Sequence, residues 1–145
     1  MYCIRNQQTK VVEVEPGLFG VRLVDGGLGA RHVAILRGWL NPGAAHSPHT
    51  HDAEEAVTFL AGSGVVRIGG EDHAVGAGDA VWIPPGVVHS TLNTGSEDLQ
   101  FIAAFSDGLV TAFPANRETP GRNPPWRWPQ RCRWILRRAL HKLLK

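Results

Sequence analysis

The chain has 145 residues, 43% of them hydrophobic and 19% charged, with 17 Gly and 10 Pro. That length suits about one domain, and the apolar share excludes disorder of the whole chain. The net charge is +2, and no apolar run approaches the ~18 residues of a membrane-spanning helix.

Frequent Gly and Pro favour short strands and turns over long helices. Val11 to Val14 alternates with Glu13 and Glu15, and Pro16-Gly17 marks a turn. Leu18 to Val24 is the next predicted strand, ended by Asp25-Gly26-Gly27. Val33 to Leu40 follows and stops at Asn41-Pro42-Gly43. Ala56 to Leu60 and Val65 to Ile68 flank Gly62-Ser63-Gly64, which predicts a hairpin. His73 to Val75, Ala80 to Ile83, Val87 to Asn93 and Leu99 to Phe105 complete the strands. Turn signals every ~8–12 residues predict an all-β sandwich or barrel.

Beyond Phe113 the texture changes. Pro114, Pro120, Pro124, Pro125 and Pro129 predict an irregular arm. In Arg131 to Lys145, Cys132, Ile135, Leu136, Ala139, Leu140, Leu143 and Leu144 recur at helical steps among basic residues. The expected organisation is a body over residues 1–113 and an arm with a short basic amphipathic helix over 114–145. Charge divides in a similar place. Residues 1–116 hold six Lys/Arg against twelve Asp/Glu, or −6; residues 117–145 hold nine against Glu118 alone, or +8. The basic tail suits packing on the acidic body or a second copy better than nucleic acid or an anionic membrane.

Cys3 and Cys132 form no CxxC pair, and the N-terminus lacks the apolar stretch of a signal peptide. A reducing, cytoplasmic setting is the expectation.

The chemistry concentrates in Gly43 to Glu55, which holds His46, His49 and His51. Residues i and i+2 of a strand share a face, so His49 and His51 can converge. Glu55 can return a carboxylate to the same point, and His89 follows Pro84-Pro85-Gly86 at a strand start. Three imidazoles and a carboxylate suit a borderline divalent ion: iron, manganese, nickel, cobalt, copper or zinc.

Gly43, His49, His51, Glu55 and Gly62 are separated by five, one, three and six residues; Gly78, Pro84, Gly86, His89 and Asn93 by five, one, two and three. These two series resemble the two cupin motifs at every fixed position. The resemblance covers residues 30–105 and stops short of the tail. It implies a jelly-roll β-barrel of two antiparallel sheets, a metal held by His49, His51, Glu55 and His89, and a homodimer. In a six-coordinate ion, four protein ligands leave two positions, for a small oxygenated organic substrate bound through two atoms or for one substrate atom and dioxygen. The implied activity is that of a dioxygenase or oxidative decarboxylase, with iron(II) or manganese(II) favoured. Alternatives are a redox-neutral isomerase, cyclase or lyase, or a non-catalytic module that binds a small molecule.

The redox-neutral class needs a base. The only Tyr is Tyr2, which leaves His46 as the nominee, either as base or as hydrogen-bond partner of a ligand, although its place suggests a loop. Strand parity carries Val57 and Phe59 inward with Glu55, and Thr91 with His89. Arg37, Trp39 and Trp82 are further candidates to face either the cavity or a dimer interface, with Arg37 either pairing with a substrate carboxylate or simply exposed.

Overall fold

The computed structural model describes residues 3–5 and 9–109, and the backbone of 113–114. Eleven strands lie among the described residues: β1 (Val11–Glu15), β2 (Leu18–Val24), β3 (Ala34–Leu40), β4 (Ala45–Thr50), β5 (Glu55–Ala61), β6 (Ser63–Ile68), β7 (Glu71–Gly76), β8 (Ala80–Ile83), β9 (His89–Asn93), β10 (Leu99–Phe105) and β11 (Phe113–Pro114). A single 3-10 turn, Gly26–Leu28, is the one helical element among those residues. No helix there is long and apolar enough to cross a membrane. The arm and basic helix expected beyond residue 114 lie outside the described residues.

The strands form two antiparallel sheets. One has six strands in the order β1-β2-β3-β10-β5-β8, the other five in the order β11-β4-β9-β6-β7. Alternation decides what each strand buries. On β5, Glu55, Val57 and Phe59 are buried while Ala56, Thr58 and Leu60 are exposed, as a half-buried strand requires. Leu18, Leu40, Phe59, Val66, Ile83 and Leu99 join the core between the sheets. Burial of this apolar area is the main favourable term in folding.

The Gly62-Ser63-Gly64 hairpin expectation is corrected. β5 pairs with β10 and β8 in one sheet, whereas β6 pairs with β7 and β9 in the other. Gly62 turns the chain between sheets. Its φ is +80°, and a Cβ there would run into the carbonyl oxygen of Asp98, so glycine is required by conformation and by space. Two strands had no expectation of their own, β4 and β11. β4 contains Pro48, and its ladder with β9 shifts register between His46 and His49. Proline has no N–H to give a ladder, so it sits where the pairing breaks. β11 pairs Phe113 with Thr50 and Pro114 with His49.

The fold delivers the motif residues to one end of the core. β4 carries His49 and leads into His51, β5 begins at Glu55, and β9 begins at His89 opposite His49. The Gly86 N–H donates to the His51 carbonyl at 2.8 Å, which ties the loop before His89 to the loop before Glu55. Asn93 closes the other end of β9. Its Nδ2 donates to the carbonyls of Leu40 and Glu97 at 2.7 and 2.8 Å, and its Oδ1 accepts from the Gly95 N–H.

Candidate metal centre

Each of the three motif histidines is fixed from its own backbone. Nδ1 of His49 donates to the Ser47 carbonyl at 2.8 Å, Nδ1 of His51 to Ala53 at 2.7 Å, and Nδ1 of His89 to Val87 at 2.9 Å. A carbonyl only accepts, so the proton sits on Nδ1 and the lone pair on Nε2. The three rings are buried, and their ligand atoms lie within 4.8 Å of one another. This is the arrangement that presents neutral imidazoles to a metal with tautomer and orientation preset.

Glu55 shares the point of convergence. Its Oε2 lies 2.9 Å from Nε2 of His51 and 3.1 Å from Nε2 of His89. The His89 contact lacks hydrogen-bond geometry, and Nε2 of His89 is buried without a hydrogen-bond partner. An orphaned buried acceptor costs ~1–3 kcal/mol. Three imidazole Nε2 atoms and a carboxylate oxygen face one point, one of them, on His89, without a partner, so the residues fit a divalent metal.

The electrostatics follow from the same crowding. Burial, reinforced by His46 and His89, holds the His49 imidazole down at about 3. Burial alone would raise the Glu55 carboxyl, but the hydrogen bond with His51 and the close His89 imidazole outweigh it and hold the group at about 2. Burial also opposes charge on His51, yet the Glu55 hydrogen bond and its charge prevail and move that imidazole above its usual range. Without metal, the contact of Nε2 of His51 with Glu55 at 2.9 Å occupies the place a cation would hold.

The other candidates separate. Val57 and Phe59 lie buried on the Glu55 face of β5, in the core cluster. Thr91 pairs with core residue Val66 and with His46, which places it on the inner face of β9. Arg37 and Trp39 are not brought to the centre. Ala34, Leu36 and Leu40 of β3 face the core, so by alternation Arg37 and Trp39 face outward. There Trp39 stacks on Phe19 at 5.4 Å, and the Arg37 guanidinium lies 5.6 Å from the Trp39 ring centre.

His46 is on β4 rather than in a loop, and its ring centre lies 3.9 Å from that of His49. Burial is the largest influence on it and lowers its pKa, against the opposing pull of Glu15 and Glu55. Two neighbours of the site carried no sequence signal. Phe105 meets His51 edge-on, at 5.3 Å and 81°, and Glu15 lies beside His46, with its Oε1 3.6 Å from Nε2. Both come from strands remote in sequence, and no spacing links them to the histidines.

A family model described as "Cupin domain" matches residues 39–105. An oxalate-binding protein of Thermotoga maritima is 40% identical over 67 residues, 46% of this chain and 55% of that protein. Dimethylsulfoniopropionate lyase DddW of Ruegeria pomeroyi is 40% identical over 72 residues, 50% of this chain and 47% of that protein. The chain thus spans about half the length of the curated relatives it matches. A variant of Bacillus subtilis oxalate decarboxylase superposes with a TM-score of 0.66 at 26% identity, over 74% of this chain and 30% of that one.

Proposed function

We propose, on the footing that the chain belongs to the cupin family, that it is a metal-dependent enzyme acting on a small oxygenated organic acid. The observation that carries this reading is the shared tautomer of His49, His51 and His89, whose Nε2 lone pairs converge while each Nδ1 is held by a backbone carbonyl. Glu55 joins them as the fourth ligand in this proposal. A bound divalent ion supplies Lewis-acid polarisation of a coordinated oxygen and, where it is iron(II) or manganese(II), redox chemistry. The residues of the chain do the rest. The three backbone-tied imidazoles hold their orientation, Glu55 balances charge, and Phe105 packs edge-on against His51 from the core. Val57 and Phe59 keep the wall beside Glu55 apolar.

The reaction class proposed first is oxidative, a dioxygenase or oxidative decarboxylase. The likeness to an oxalate decarboxylase and an oxalate-binding protein supports a small dicarboxylate as the kind of molecule the chain takes. One observation favours a second reading. His46 is held on β4 against His49, where a neutral imidazole can take a proton from a substrate in a redox-neutral isomerase, cyclase or lyase reaction. Turnover of a panel of small hydroxy- and keto-acids by the metal-loaded protein, with and without oxygen, separates the two. Oxygen consumption matched to product supports the oxidative reading, and equal turnover under anaerobic conditions overturns it in favour of the second.

A homodimer and a cytoplasmic setting belong to the same proposal. Trp82, 61% exposed on the outer face of the six-stranded sheet, is in keeping with a second copy packing there.

A further inference from the structure

β1 is an edge strand of the six-stranded sheet, yet its last residue reaches across to the other sheet. The β1–β2 ladder pairs Glu13 with Phe19, shifts register, and then pairs Glu15 with Leu18. Phe19 stacks on Trp39 at the outer face, whereas Leu18 lies in the core. The bulge therefore turns Glu15 inward while Glu13 stays outside, the re-aiming for which bulges serve near functional sites. Glu15 then meets β4. Its Oε2 accepts from the Ser47 hydroxyl at 2.7 Å and from the Ser47 N–H at 3.0 Å. Its Oε1 stands 3.6 Å from Nε2 of His46, which is ion-pair range and longer than a hydrogen bond. A second bulge, around Pro48, separates His46 from His49 in the β4–β9 ladder. It leaves the two rings 3.9 Å apart at a tilt of 32°.

Resting on the metal-binding reading above, we propose that Glu15 is a positioning residue for His46, anchoring the start of β4 and setting the tautomer of the His46 ring beside the metal centre. A carboxylate next to Nε2 favours the proton on that nitrogen, which leaves Nδ1 of His46 as the basic atom. His49, His51 and His89 carry their protons the other way round, on Nδ1 facing carbonyls. The site thus holds three imidazoles preset to bind a metal and one preset with the opposite tautomer. Three rings are oriented by their own backbone carbonyls, and the fourth from the opposite sheet.

The test is long-range proton–nitrogen correlation NMR of the histidine rings in the full chain loaded with zinc(II), at pH 8 where an ordinary imidazole is neutral. His46 is expected in the Nε2–H form, and the three ligands in the Nδ1–H form. Glu15→Gln is expected to draw the two well-separated His46 nitrogen resonances toward each other, while zinc stoichiometry stays unchanged. Ser47→Ala removes the hydroxyl contact but keeps the backbone N–H bond and the carboxylate, and is expected to leave the His46 tautomer as it is, in contrast to Glu15→Gln. Should Glu15→Gln fail to fold, Glu15→Asp keeps the charge and withdraws it by one methylene, and a weakened Nε2–H signature is the expected result. An identical His46 spectrum in wild type and a folded Glu15 variant overturns the proposal. A wild-type protein that binds no zinc, yet whose His46 tautomer still depends on Glu15, supports the pairing and overturns the metal reading beneath it.

Discussion

Burial and charge pull the neighbouring histidines in opposite directions. His49 has a pKa of about 3 and Glu55 of about 2, both below their ordinary values of 6.5 and 4.5. As pH falls, the unfolded chain therefore takes up protons before the folded one does. The stability that His49 contributes is complete above pH 6.5 and is lost down to about pH 3; that of Glu55 is lost between about pH 4.5 and pH 2. His51, raised, behaves oppositely: its contribution is complete below pH 6.5 and is lost as pH rises through its folded value. The expected outcome for the metal-free protein is a Tm that declines through the acid range, with the His49→Gln variant declining less between pH 6.5 and 3. A thermal denaturation series across pH checks this, and a flat wild-type profile would contradict it. Glu55→Gln removes the carboxylate opposite His51 and His89. Its metal affinity is expected to fall by at least the ~10–100-fold that accompanies loss of a residue merely orienting a ligand, as read by competition with a chelating dye. At this scale the sequence was most legible. The spacing of His49, His51, Glu55 and His89 named residues that the fold brings together. It placed His46 in a loop, since the histidine-rich stretch around Pro48 has no alternating apolar pattern, and it had no means of finding Glu15.

At the scale of elements, local signals read well wherever a strand has a dry side and a wet side. Leu18–Val24, Ala80–Ile83 and Leu99–Phe105 match the strands predicted from alternation and turn residues. β4 was hidden because Pro48 and the histidines erase that pattern. The Gly62 turn was misread because a glycine between two strands looks alike whether the next strand returns to the same sheet or crosses to the other. Long-range backbone crowding decides, and sequence spacing does not display it. Gly62→Ala is accordingly expected to destabilise the protein by more than ~1 kcal/mol, since it imposes a Cβ on a positive φ and on the Asp98 carbonyl. Phe59→Ala, at a side chain 1% exposed, is expected to cost ~3–5 kcal/mol. Urea denaturation measures both. A Gly62→Ala protein as stable as wild type would show that the crossing does not need glycine.

For the whole molecule, the two sheets are what make one site out of distant residues. β4 and β9 from one sheet and β5 from the other each bring a residue of the candidate centre to the same end of the core, and β1 reaches across the gap with Glu15. Glu55 belongs to the acidic part of the sequence, while the +8 of residues 117–145 lies outside the motifs, so net charge reports nothing about the substrate. Trp82→Arg, on the outer face of the six-stranded sheet, is expected to shift a homodimer toward monomer in sedimentation velocity while leaving metal uptake unchanged. The central claim is the three-histidine metal centre, and elemental analysis of the purified, reconstituted protein tests it most directly. A stoichiometric divalent transition metal in wild type and its loss in His89→Ala is the result that follows from the converging Nε2 atoms. Equal metal content in both proteins, or none in either, would contradict it.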